Sequence, residues 1–124
     1  MKYAVAFVAA LLLTGTAIAQ HKHAEKGPNG GQMQDLAGVH AELLTSGNSI
    51  TVNVFDESTK PVATKGFSGA ALVVNGADRE TVALSPAGES AIKGEAKKPI
   101  ANGASITVTL KTDAGKSGQA KFTK

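Results

Sequence analysis

From residue 32 onward, apolar and polar positions alternate with a period of two. Ile50-Thr51-Val52-Asn53-Val54, Ile106-Thr107-Val108-Thr109-Leu110 and the shorter Thr81-Val82-Ala83-Leu84 each line one face of an extended backbone with apolar side chains. Further strands are predicted at 39–44, at the almost continuously apolar 70–74, around Ala91-Ile92-Lys93, and at 118–123. Between them lie Ser46-Gly47-Asn48, Asn75-Gly76-Ala77-Asp78, Pro86-Ala87-Gly88, Asn102-Gly103 and Asp113-Ala114-Gly115-Lys116, residues that supply the positive φ angles of tight hairpins. No stretch of this region sustains a helical period. The pattern predicts an all-β fold, an antiparallel β-sandwich (Ig-like) of about seven short strands, with an open barrel as the alternative.

The first nineteen residues break this pattern. Lys2, the apolar run 4–13 and the small-residue ending Ala17-Ile18-Ala19 have the order of a secretory signal, with cleavage expected before Gln20. The apolar run is short for the roughly 20 residues of a spanning helix, and no cysteine is present to carry a lipid, so export without stable membrane insertion is expected. The organisation is then a signal peptide at 1–19, a histidine-containing tail and Gly-rich turn at 20–31, and one β-domain at 32–124.

Composition narrows the chemistry. The absence of cysteine excludes thiolate metal sites and disulfide staples. Thirteen basic against ten acidic residues, scattered along the chain, describe a solvated surface and give no nucleic-acid footprint. Beyond the signal there is neither Trp nor Tyr, so aromatic platforms for polysaccharide are missing and the core must come mainly from Val, Ile, Leu and Ala.

Histidine is what remains for chemistry. His21 and His23 stand two residues apart, so in an extended chain their rings point the same way about 6.6 Å apart and can share one ion. With Gln20 first, its free amine and the His21 ring can bind Cu(II) or Ni(II) together, unless that glutamine cyclises. In Val39-His40-Ala41-Glu42-Leu43 alternation turns Val39, Ala41 and Leu43 to the core and puts His40 and Glu42 together on the outer face. That pairing suits a borderline divalent ion, or a carboxylate that orients the ring; an exposed pair on an edge strand is the plain alternative. Met33 is expected to point inward as core filler, or to serve as a soft ligand for Cu(I). The turn Lys26-Gly27-Pro28-Asn29-Gly30-Gly31 lacks the lysine and hydroxyl of a phosphate loop. Catalysis has little to stand on: a nucleophile needs an oriented base, and His40 is the one histidine expected on the rigid body, so an enzyme is a distant third reading and none is predicted.

The run "GPNGGQMQDLAGVHAELLTSGNSITVNVFDESTKPV" at 27–62 resembles small periplasmic β-sandwich proteins of Gram-negative bacteria associated with copper-type heavy-metal efflux systems. It is also similar to segments beside the membrane-fusion subunits of those pumps, and "ETVALSPAGESAIKGEA" at 80–96 looks like the same family. The resemblance implies a periplasmic β-sandwich that handles copper or a related ion, with His21, His23 and His40 at the matching positions and an efflux component as partner. Taken together, the expectation is a weak, exchangeable metal site: His21 and His23 as mobile ligands, His40 as the fixed one, Glu42 in support and Met33 optional. Copper leads, with nickel, cobalt and zinc behind. The alternative is a non-catalytic interaction module whose edge strands add to a partner's sheet, with incidental histidines.

Overall fold

A computed structural model describes residues 25–124. These form nine strands and no helix: β1 Glu25–Lys26, β2 Gln32–Leu36, β3 Val39–Ser46, β4 Ser49–Phe55, β5 Ser68–Asn75, β6 Asp78–Ala87, β7 Ala91–Glu95, β8 Ser105–Lys111 and β9 Ser117–Thr123. All seven expected strands are present. β1 and β2 are additions, and β2 is hard to see because Leu36 is its only fully buried residue.

Alternation does what the sequence predicts in the interior. Ile50, Val52 and Val54 of β4 are fully buried, and Ile106, Val108 and Leu110 of β8 meet them in one core with Ile92 and Phe122. In the apolar run of β5 only Ala71 and Val73 are buried; Leu72 and Val74 are half-exposed on the outer face.

The sheet order is β1-β2-β3-β4-β7-β6-β5-β8-β9, with every pairing antiparallel. This corrects the expected sandwich: the strands make one continuous, nearly closed sheet, closer to the open barrel. The ten-residue β6 is the cause, because residues 78–84 pair with β5 while Ser85, Pro86 and Ala87 pair with β7. One strand thus carries the hydrogen-bonded ladder from one half to the other.

At the seam, β2 and β9 are joined through side chains. Gln34 Nε2 donates to the Lys121 carbonyl at 2.5 Å, and the Thr123 amide donates to Gln32 Oε1 at 3.1 Å. Two glutamines therefore stand in for the missing backbone ladder and satisfy edge groups that would otherwise be open to another chain. Nearby, a Cβ on Gly118 would lie 2.7 Å from the Ala37 nitrogen, so glycine is what lets β9 approach the β2–β3 turn.

Candidate functional site

The hairpin β2–β3 turns through Ala37 and Gly38, whose φ angles of 53° and 80° are those of a type I′ turn. Counting outward from that turn fixes the register: Asp35 opposes His40 and Met33 opposes Glu42. On the other side of β3, His40 opposes Phe55 and Glu42 opposes Asn53. Directly opposed residues share a face, so two rows cross the outer surface, Asp35-His40-Phe55 and Met33-Glu42-Asn53.

Glu42 is wholly buried. The sequence places it correctly on the outer face but cannot show what covers it: the Gly-rich turn at 27–31 folds over its carboxylate. Oε2 accepts the backbone amides of Asn29 at 2.8 Å and Gly31 at 3.0 Å, while Oε1 accepts the Asn29 side chain at 2.8 Å and Asn53 at 3.3 Å. The turn is closed on itself by Gly27 N to Gly31 O at 2.7 Å and Gly30 N to Gly27 O at 3.0 Å. A Cβ on Gly27 would strike the Glu42 carboxylate, and one on Gly31 would sit 2.8 Å from Glu42 Cγ. The two glycines are therefore the space in which the carboxylate lies.

Burial by itself would raise the Glu42 pKa, because the charged form loses its water. The N–H donors of Asn29, Gly31 and Asn53 outweigh this and hold the carboxyl below the usual glutamate value. No Lys, Arg or His among the described residues forms an ion pair with it. Its oxygens are engaged with four N–H donors, and what the carboxylate does here is hold the turn.

His40 has a different partner from the one expected. Its Nδ1 contacts Asp35 Oδ1, and its side chain keeps 30% exposure against 80% for Asp35. The strand carrying it is not an edge, since β3 is flanked by β2 and β4. Asp35 is the residue the sequence reading missed, although the Ala-Gly turn would have found it once counted as a two-residue loop.

Met33 is also corrected. Its opposition to Glu42 puts it on the outer face, half-buried, while Gln32 and Gln34 take the inner positions at the seam. His21 and His23 lie outside the described residues. Among the described residues there is no cluster of three or more His, Cys, Asp or Glu able to hold a metal. What this face offers is one imidazole with a thioether diagonally across the hairpin.

The tail joins the domain here. Glu25 and Lys26 pair with Met33 and Gln32, so β1 lies against the strand that carries Asp35. Compared with known protein families, with characterised proteins and with solved structures, the chain matches none.

Proposed function

We propose that this is an exported, periplasmic domain that binds a transition-metal ion, copper foremost, in a weak and exchangeable site. His40 is the ligand on the sheet, His21 and His23 are the ligands supplied by the preceding segment, and Met33 is a soft ligand available to Cu(I). The donor set fits: imidazole nitrogen and thioether are ligands that copper accepts, and a site without thiolate exchanges its ion readily. A heavy-metal efflux component is the partner to which such an ion would pass.

One observation carries this reading. The tail reaches the domain at Glu25, opposite Met33, on the same strand pair as His40. His23 stands two residues before Glu25, and two extended residues span about 6.6 Å. Asp35, the partner of His40, lies the same two residues beyond Met33. By chain length alone, His23 can therefore approach the ring of His40. The interaction-module alternative draws less support, because the β9 edge it would use is already bridged by side chains of β2.

Titration of residues 20–124 with Cu(II), followed by calorimetry, tests the reading. Binding is expected in the micromolar range or tighter, weakened in the His40→Ala variant and again in a His21→Ala/His23→Ala variant. It is also expected to fade below about pH 6, where imidazoles protonate. No binding by the parent protein at micromolar metal refutes it.

A further inference from the structure

We propose that Asn75 is a self-modification site, the asparagine that converts spontaneously to aspartate and isoaspartate in the folded domain. The proposal is independent of the metal-binding reading. Three asparagines precede a glycine, Asn29, Asn75 and Asn102. Such pairs are prone to deamidation, because glycine has no side chain to hinder a close approach to its own amide nitrogen. That nitrogen gives up its proton, attacks the asparagine Cγ and expels ammonia, closing a five-membered succinimide. Water then opens the ring at either carbonyl. One opening gives aspartate; the other gives isoaspartate, in which the main chain runs through the former side chain. Water and base are the only co-reactants.

Folding separates the three sites. Space does not, since nothing lies within 4 Å of the position a Cβ would take on Gly30, Gly76 or Gly103. Hydrogen bonding does. Gly30 N donates to Gly27 O at 3.0 Å, and the Asn29 side chain donates to Glu42 Oε1 at 2.8 Å, so both reacting groups of that pair are held. Gly103 N donates to Lys124 O at 2.7 Å. An amide hydrogen bound to an acceptor is harder to remove, and its nitrogen is held away from the neighbouring side chain. Gly76, at φ 62° in the turn between β5 and β6, donates to no acceptor among the described residues, and the Asn75 side chain is exposed.

The product changes the surface around it. Asn75 opposes Asp78 in the hairpin register, and both border a cavity of about 240 Å³ with Arg79, Lys97 and Lys98 on its rim. Conversion sets a second carboxylate directly opposite Asp78, a like-charge pair that weakens the end of the hairpin. Isoaspartate also lengthens the main chain there by a methylene.

The purified protein, kept in mildly alkaline buffer at physiological temperature and sampled over time, tests the proposal. Peptide mass spectrometry reads the mass gain and the isoaspartate content at each site. Asn75 should convert first, severalfold faster than Asn29 and Asn102. In guanidinium chloride, where the native hydrogen bonds are gone, the three rates should converge. Asn75→Gln, whose longer side chain closes its ring far more slowly, should remove the fastest conversion. Asn29 or Asn102 reacting as fast as Asn75 in the folded protein overturns the proposal. So does a fastest conversion that survives Asn75→Gln, or a ranking that persists unchanged in the denatured chain.

Discussion

Replacing Glu42 tests the packing on which the site stands. Its carboxylate accepts four N–H groups, two from backbone and two from asparagine side chains. In Glu42→Gln one oxygen becomes an NH2 group, so two of those donors face a donor. The asparagine amides can flip to present oxygen, which limits the damage. The two bonds that remain change from charge-assisted to neutral, a loss of about 1 kcal/mol each, partly offset because no charge is now buried. The expected cost is about 1–2 kcal/mol. In Glu42→Ala no acceptor is left, and the buried Gly31 amide and its neighbours lose their partners at about 1–3 kcal/mol apiece. Detachment of the turn and access of water cap that loss at about 3–4 kcal/mol. Urea denaturation should rank parent, glutamine and alanine in that order, and melting should fall by about 4–8 °C per kcal/mol for a domain of this size. Hydrogen exchange of the Gly31 amide adds a local readout: protected in the parent, fast in the alanine variant. A Glu42→Ala protein as stable as the parent, with Gly31 still protected, would refute the idea that this carboxylate anchors the turn.

The pH dependence follows from the same group. The Glu42 pKa is lowered in the folded state, so the native protein binds fewer protons than the unfolded chain between the two values, and stability falls as pH drops from about 4.5 through the folded pKa. The gap between parent and Glu42→Gln should narrow over that window in acid titrations followed by circular dichroism. Ala37 holds φ at 53° with a Cβ, so Ala37→Gly should relieve left-handed strain and raise stability by about 0.5 kcal/mol after the entropy of glycine is counted; a loss measured by denaturation contradicts this. Gln32→Ala/Gln34→Ala removes both side-chain bridges of the seam, and should cost about 1–3 kcal/mol with exchange accelerated first in β9. Unchanged β9 protection would show that the seam is held by something else.

Much of this fold was legible in the sequence because burial follows period two wherever one face packs and the other is wet. β4 and β8 show it plainly, and their alternating valines and isoleucines are the core. β2 escaped because Gln-Met-Gln-Asp-Leu inverts the rule: glutamines point inward to close the seam and Met33 points outward. The seam itself is a meeting of residues about ninety positions apart, and local pattern carries no signal for such a distance. Glu42 was placed on the right face, yet alternation says nothing about a turn arriving from eleven or more residues away to bury it. The glycines at 27 and 31 were the available clue, since a turn needs neither of them for its own closure as much as Glu42 needs the space they leave. Asp35 was readable by arithmetic: Ala37-Gly38 taken as a two-residue turn pairs 35 with 40.

The central claim is that an ion is shared between the tail and the fixed ring on β3. Substoichiometric Cu(II) added to nitrogen-15-labelled residues 20–124 tests it directly, because the paramagnetic ion broadens nearby amides. The account predicts simultaneous loss of signals from the tail around His21 and His23 and from Asp35, His40 and Ala41, with the far strands β5 and β8 unaffected. Broadening confined to the tail, or spread evenly over the surface, would contradict it.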